Sequence, residues 1–246
     1  LSESITDMHR PFLWAHRGAS CLAPENTMAA FATAVECGAD GLELDIHLSR
    51  DGVPIVIHDE TLDRTTDGHG RVCTRSWPQL QMLDAGSWFS EAFAGEPIPA
   101  LEEVLKTFGG RVRLNLEIKA FDAGVAVIEL LQRYPDAESV VSSFDWRLLE
   151  HLRTTDASLP IAVLFAAGNW RHAVRLAIGL RSVAFHPEAG QVGRSMITAC
   201  RQSQLPVHAW TVDDPVKAKS LLRAGVNGLF TKDPSALRGV VLPAAS

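Results

Sequence analysis

The sequence contains few cysteines, and none of them form a recognisable pair or cluster. Cys21, Cys37, Cys73 and Cys200 lie far apart, without a C-x-x-C motif or a metal-type spacing. Their small or apolar neighbours favour buried free thiols over disulfide bonds. A thiolate metal site is therefore not expected.

Long apolar runs and clusters of basic residues are also missing. No run approaches the roughly 20 apolar residues of a membrane-spanning helix, so no stable membrane insertion is expected. The formal net charge is −6, from 23 Lys and Arg against 29 Asp and Glu. Because nucleic acids require clustered basic side chains, this balance argues against such a partner. The opening segment LSESITDMHRP lacks the basic start and apolar stretch of a signal peptide, and we expect a cytoplasmic protein.

What the sequence does contain is an alternation of short apolar runs and helical stretches. Nine runs are predicted as strands, at 12–16, 41–47, 54–58, 112–119, 139–144, 161–165, 182–186, 207–212 and 228–231. Helices are predicted at 25–37, 101–108, 123–133, 145–153, 170–179, 194–203 and 214–224. Strands separated by helices form a parallel sheet, and this number of units predicts an α/β fold, one (β/α)8 barrel of the TIM type over residues 1–246.

Two stretches interrupt the alternation. The SRDG turn at 49–52 joins two predicted strands without a helix, so the pair is either an antiparallel hairpin or a barrel unit that lacks its helix. Residues 59–99 show no regular pattern, and we interpret them as a small insertion after the third strand. Because long loops at the carboxyl ends of barrel strands usually carry function, the insertion is expected to form a wall or lid over the site.

Carboxylates lie where such a barrel keeps its active site, at the carboxyl ends of predicted strands. Glu43 and Asp45 are two residues apart on one strand, so both side chains leave the same face. With Glu117 on another strand they form an oxygen ligand set that suits one divalent cation, Mg²⁺ or Ca²⁺, better than Zn²⁺. The alternative is a buried charge network in which these carboxylates pair with Arg17 and Lys119.

Two histidines, His16 and His58, end predicted strands beside the carboxylates. Two imidazoles in one site can divide acid and base roles at neutral pH, and both are predicted to be catalytic. Arg17 and Lys119 are predicted to hold phosphate oxygens, Arg with its planar fork and Lys as a point charge. Structural roles are expected for four other histidines, His47, His69, His151 and His172.

A resemblance to the glycerophosphodiester phosphodiesterase family is carried by several motifs in order, HRGAS, APENTMAAF, GADGLELDIHLSRDGVPIVIHDETLDRTTDGHG, LNLEIK, HAWTV and GVNGLFTKDP. It covers essentially the whole chain and implies a modified TIM barrel with a small insertion. It implies the same catalytic pair, metal ligands and phosphate contacts, and it places Trp210 beside the glycerol end of the substrate. Phe144 and Phe185 are expected to line the same pocket or else to pack in the core, and Asn26 either fixes a loop or contacts the site.

Departures from the family pattern are few. Asp213 follows the W-T-V motif, and Thr231-Lys232-Asp233-Pro234 stands where relatives often have T-D-x-P or T-N-x-P. Neither is expected to touch the reacting groups, so both are expected to bear on substrate preference and not on activity.

The resemblance implies that a small glycerophosphodiester is hydrolysed to an alcohol and sn-glycerol 3-phosphate. We assign His16 as the base and His58 as the acid, a division of roles that the sequence leaves open. It also leaves open the oligomeric state and whether water or the substrate's neighbouring hydroxyl attacks phosphorus. Three alternatives remain, namely a lysophospholipase D acting on single-chain lipids, a non-catalytic phosphate-binding barrel and a metal-dependent sugar isomerase.

Overall fold

The structure, a computed structural model, describes residues 10–241, and the amino-terminal segment up to residue 9 lies outside them. The strands are β1 (Phe12–His16), β2 (Gly41–Leu48), β3 (Pro54–Val56), β4 (Arg113–Ile118), β5 (Ser139–Ser143), β6 (Ile161–Phe165), β7 (Ala184–Pro187), β8 (His208–Ala209) and β9 (Gly228–Thr231). The helices are α1 (Met28–Glu36), α2 (Trp77–Leu80), α3 (Leu101–Phe108), α4 (Ala123–Arg133), α5 (Trp146–Thr155), α6 (Trp170–Gly179), α7 (Arg194–Gln202), α8 (Pro215–Ala224) and α9 (Pro234–Val241). Within these residues, no helix is long and apolar enough to cross a bilayer.

Eight parallel strands form a nearly closed barrel, which confirms the predicted fold. Their order is β7-β6-β5-β4-β2-β1-β9-β8. Isolated bridges from Phe185 to Val207 and from Glu188 to Trp210 connect β7 with β8 and bring the two ends of the sheet together. Every barrel strand except β2 is followed directly by a helix, and because the eight strands are parallel, their carboxyl ends open on the same face.

The ninth strand, β3, lies outside the barrel. β2 pairs with β4 as far as Ile46. From Ile46 to Leu48 it pairs antiparallel with β3, where Ile46 lies opposite Val56 and Leu48 lies opposite Pro54. The turn at 49–52 is therefore a hairpin, one of the two alternatives that the sequence left open, and the insertion follows β3, the third strand along the chain, as predicted. β3 is not a barrel strand, because β4 already occupies the edge of β2 that a further parallel strand would need.

The insertion has a small apolar core of its own. It is formed by Ile55, Ile57, Leu62, Val72, Leu80, Ala85 and Ile98. The chain returns to the barrel at Ala100, which bridges to Ile55, and α3 begins at the next residue.

Local side-chain chemistry sets the helix boundaries near the site. Asp145 accepts hydrogen bonds from the first backbone N–H groups of α5, and Asp214 does the same for α8. Gly225 ends α8 with φ +103°, a left-handed conformation that glycine adopts without steric cost.

The cysteines differ from the expectation of buried thiols. All four are free, but Cys21 and Cys73 are exposed, Cys37 is half-buried and only Cys200 is buried. Cys21 lies on the loop after β1 and Cys73 lies in the insertion. In such segments, small or apolar residues next to a cysteine in the sequence do not ensure that its thiol is buried.

Candidate active site

The strand register brings the three predicted ligand carboxylates together. Asp45 on β2 lies directly opposite Glu117 on β4, and Glu43 leaves the same face of β2 as Asp45. All three side chains are buried. One oxygen from each lies within 4.8 Å of the others, a spacing that allows a shared metal ion.

Two basic side chains, Lys119 and Arg17, form ion pairs within this cluster, but neither pairs with Glu43. Lys119 Nζ lies 3.0 Å from Asp45 Oδ1 and also pairs with Glu117, while Arg17 Nε lies 3.2 Å from Asp45 Oδ2. These are ion pairs of the kind expected if the carboxylates form a buried charge network with Arg17 and Lys119 and not a metal site. Glu43 contacts neither charged head group: its Oε2 accepts the backbone N–H of Arg17 at 2.8 Å, and its Oε1 is buried without a hydrogen-bond partner.

The pKa values of the carboxylates report the same excess of negative charge. Burial, followed by the charges of Asp45 and Glu117, raises the pKa of Glu43 well above its usual range. Burial and Asp45 raise the pKa of Glu117 to about 7. At Asp45 the cost of burial is outweighed by Lys119 and Arg17, which lower its pKa to about 2. An all-oxygen cluster that its basic neighbours do not neutralise fits a divalent cation.

The two candidate catalytic histidines differ in environment. His16 ends β1 with its side chain only 12 % exposed, and its Nε2 lies 3.9 Å from Glu43 Oε2. Burial and the charge of Arg17 lower the pKa of His16 to about 4, so its imidazole is neutral at pH 7. His58 follows β3, outside the barrel, and its Nδ1 lies 2.6 Å from Asp59 Oδ1.

Both histidines line one cavity of about 380 Å³ at the carboxyl ends of the strands. The carboxylates Glu43 and Glu117 lie in its wall with Lys119. The rest of the lining is His16, Arg17, His58, Asn115, Phe144, Leu164, Trp210, Thr211, Phe230 and Lys232. Phe144 and Trp210 meet edge to face, with ring centroids 5.5 Å apart. The cavity therefore has a charged side and an aromatic side.

The sequence and the structure match those of a known family. Residues 16–236 match the family model for the glycerophosphoryl diester phosphodiesterase family. The chain belongs to this family. It is 38 % identical over 237 residues to a glycerophosphodiester phosphodiesterase of Caldanaerobacter subterraneus, with 92 % of this chain and 96 % of that protein covered.

Solved structures agree with the assignment. An Oleispira antarctica phosphodiesterase in complex with the product sn-glycerol-3-phosphate superimposes with a TM-score of 0.86 at 29 % identity, covering 94 % of this chain and 97 % of that one. A glycerophosphodiester phosphodiesterase from Agrobacterium tumefaciens gives a TM-score of 0.83 at 29 % identity, covering 92 % and 98 %. The present chain is thus a phosphodiesterase of this family.

Phe185 does not line the cavity of the phosphodiesterase, contrary to one of the two expectations. Its neighbour His186 turns into the barrel, where its ring centroid lies 4.9 Å from that of Phe230. Because side chains alternate along a strand, Phe185 faces the helices and packs on Phe165 with the centroids 5.9 Å apart. Phe185 belongs to the core.

Lys232 does line the cavity, which corrects the expectation that the TKDP departure lies away from the reacting groups. It follows β9 directly, and its charge is one of those that lower the pKa of His16. Asp213, the other departure, accepts hydrogen bonds from the Thr231 hydroxyl at 2.9 Å and the Lys232 backbone N–H at 2.8 Å. Asp213 therefore fixes the end of β9.

A chain of ion pairs joins the insertion of the phosphodiesterase to the barrel, and no motif or spacing pointed to its central residue, Arg64. The guanidinium of Arg64 donates to both oxygens of Asp59 and to both oxygens of Glu25. Glu25 in turn accepts from Arg17 Nη1 at 2.9 Å. Asp59 holds His58, so this network connects His58 to Arg17.

The histidines expected to be structural lie outside the cavity. His47 is buried, and its Nε2 lies 3.1 Å from the backbone carbonyl of His58, where it supports the segment after β3. His69, His151 and His172 are exposed.

Asn26 contacts a proposed metal ligand directly. Its Nδ2 donates to Asp45 Oδ2 at 2.8 Å, and its Oδ1 accepts the backbone N–H of Asp45 at 3.2 Å. The residue is buried and has φ +59°, a left-handed conformation that asparagine tolerates better than most residues. Asn26 therefore both shapes its loop and orients the carboxylate of Asp45.

The Asn26→Gly variant is expected to bind the cation more weakly. Glycine keeps the left-handed backbone without strain and removes both hydrogen bonds to Asp45. Loss of such an outer partner of a metal ligand lowers metal affinity or activity by about 10- to 100-fold. Titration of the metal-free variant with Mg²⁺ or Ca²⁺, followed by calorimetry and by activity, measures the change.

Gln204→Gly is the matched control, because Gln204 also has a left-handed backbone, φ +53°, on the exposed surface. Equal metal affinity in the Asn26→Gly variant and this control would contradict the role given to Asn26.

Proposed function

We propose that the enzyme hydrolyses glycerophosphodiesters to an alcohol and sn-glycerol 3-phosphate with one bound divalent cation and with His16 and His58 as the acid–base pair. The observation that carries the proposal is the buried carboxylate cluster, with its uncompensated charge, in the same cavity as the two histidines. The product bound by the Oleispira antarctica relative supports the same product here.

Glu43, Asp45 and Glu117 would hold the cation, and their oxygen atoms favour Mg²⁺ or Ca²⁺. When bound, the cation supplies positive charge that stabilises the negative charge developing on the phosphoryl oxygens.

Arg17 and Lys119 are positioned to bind the phosphate. Both line the cavity, and Lys119 Nζ already lies within ion-pair distance of the carboxylate cluster. Arg17 follows β1 with φ +59°, so its backbone turns sharply into the cavity wall while its side chain is held by Glu25. The aromatic side formed by Phe144 and Trp210 is proposed to receive the glycerol end of the substrate.

The environments of the histidines favour His16 as the base and His58 as the acid. A neutral His16 can accept a proton from the attacking oxygen, whether that oxygen belongs to water or to the neighbouring glycerol hydroxyl. Asp59 accepts the Nδ1 proton of His58, which leaves Nε2 as the nitrogen that exchanges a proton with substrate. This contact with Asp59 also fixes the orientation of the imidazole from which the departing alcohol would receive its proton.

A lysophospholipase D activity is the second candidate, because an apolar side chain of the cavity wall stands exposed. This side chain, Phe144, is 43 % exposed. An exposed aromatic ring there offers a contact for the acyl chain of a lysophospholipid. A cytoplasmic location and the lack of a nucleic-acid partner stay predictions from the sequence.

The proposal is tested by offering glycerophosphocholine and lysophosphatidylcholine in separate assays and identifying the phosphomonoester by mass spectrometry. We expect sn-glycerol 3-phosphate from glycerophosphocholine. Faster formation of lysophosphatidic acid from the lipid would favour the second candidate. Hydrolysis of neither substrate, with Mg²⁺ or Ca²⁺ supplied, would favour a non-catalytic barrel.

A further inference from the structure

A second cavity, of about 790 Å³, adjoins the catalytic one. His58 and Lys119 line both cavities. The other walls come from the turn after β2, which carries Arg50, from the insertion, and from the loop before α4, which carries Asp122. The two cavities therefore meet at a proposed phosphate contact and a proposed acid.

The substrate of a phosphodiesterase has two arms on one phosphorus. If the phosphate binds at Lys119, one arm extends into each cavity. The smaller cavity has the aromatic side that Phe144 and Trp210 form and is assigned to the glycerol arm. The alcohol arm then enters the second cavity, and His58, at the junction, lies beside the ester bond that breaks.

Most charges in the second cavity are already paired. Glu60 pairs with Arg71, and Asp59 pairs with Arg64 and His58. These pairs leave little capacity to bind a charged ligand.

Two charged side chains of this cavity, Asp122 and Arg50, form no ion pair with any residue among 10–241. Asp122 occupies the N-cap position of α4, yet its side chain makes no capping hydrogen bond, so its carboxylate is available to a ligand. No Phe, Tyr or Trp lines the cavity in the described part of the chain, so an aromatic cage for a quaternary ammonium is missing there.

We infer that the second cavity is a headgroup subsite that selects alcohols carrying a primary ammonium group, with Asp122 as the ammonium contact and Arg50 as a contact for a carboxylate on the same headgroup. The inference rests on the proposed function. The ammonium of ethanolamine or serine can donate hydrogen bonds to Asp122, whereas the methylated nitrogen of choline has no N–H to donate. A serine headgroup offers charges to both residues.

The test compares kcat/KM for the glycerophosphodiesters of ethanolamine, serine and choline in the full-length enzyme with its metal supplied. In Asp122→Asn the ethanolamine-to-choline ratio is expected to fall about tenfold, the effect of losing one charge-assisted hydrogen bond. In Arg50→Gln the serine-to-ethanolamine ratio is expected to fall by a similar factor of about ten.

Asp136→Asn and Arg175→Gln are the matched controls, since both residues are exposed and lie outside the second cavity. Both ratios are expected to stay at the unsubstituted value in these controls. Ratios within twofold of that value in Asp122→Asn and Arg50→Gln would overturn the inference while the proposed function stands. Failure of the unsubstituted enzyme to hydrolyse any of the three esters would overturn the proposed function and the inference with it.

Discussion

The His16→Ala and His58→Ala variants are expected to hydrolyse glycerophosphocholine about 10²- to 10⁴-fold more slowly, the range that loss of a general acid or base produces. His16 is neutral in the cavity and loses its role as proton acceptor, whereas the loss of His58 removes the donor that Asp59 orients. Because the two act in one reaction, the double variant is expected to be little slower than the poorer single variant.

The leaving group separates the two roles. When the substrate is a glycerophosphate ester of p-nitrophenol, the leaving group is p-nitrophenolate, which departs without protonation. This substrate should therefore restore much of the rate of the variant that lacks the acid. We expect restoration in His58→Ala and little in His16→Ala. The opposite pattern would reverse the assignment, and near-normal turnover of glycerophosphocholine in both variants would remove the pair from the mechanism.

His151→Ala provides the control for these variants. His151 is exposed and its ring stacks on Phe121 with the centroids 5.6 Å apart, outside the cavity. Its substitution tests whether loss of a histidine ring outside the cavity slows the reaction. We expect its kcat/KM to stay within twofold of the unsubstituted value.

Chelation is expected to abolish hydrolysis, and addition of Mg²⁺ or Ca²⁺ is expected to restore it. The proposed cation would supply several kcal/mol of charge stabilisation in the transition state, so its removal is expected to slow hydrolysis by about 10³-fold or more. The variants Glu43→Gln and Glu117→Gln should bind metal more weakly in calorimetry, because each loses one anionic ligand of the cluster. They should also require more metal for half-maximal activity.

Glu138→Gln is the matched control for the carboxylate variants. Glu138 is 69 % exposed and pairs with Arg113, at the amino-terminal ends of the barrel strands. Activity that persists when elemental analysis shows no bound metal would exclude the cation from the reaction. Unchanged metal affinity in Glu43→Gln and Glu117→Gln would place the cation elsewhere.

The repeating elements could be predicted because their signals are local. Strands β1, β6 and β9 and helices α3, α4 and α6 have the predicted boundaries, since alternation, capping residues and glycine stops are contained in short windows. The carboxylate cluster could be predicted for the same reason. A spacing of two residues on a strand determines which face Glu43 and Asp45 share.

The remaining features depend on pairings that sequence spacing does not encode. The turn at 49–52 is compatible with a hairpin or a barrel unit, and only the occupied edge of β2 decides between them. Arg64 meets Glu25 and Asp59 from a loop without periodicity. The side of the sheet that Phe185 faces follows from the register of β7, and the predicted strand at 182–186 misses the observed bounds, Ala184–Pro187, by one or two residues at its ends.

Because the antiparallel strand β3 lies outside the barrel, the two proposed catalytic histidines belong to parts of the enzyme with different apolar cores. His16 is carried by the barrel, whereas His58 is carried by the segment with a separate apolar core around Leu62 and Leu80. Segments with separate cores can open locally while the rest of the molecule stays native. Under the proposed mechanism, turnover requires the barrel and the insertion to be folded at the same time, and the lifetime of the active state is set by whichever of the two opens first.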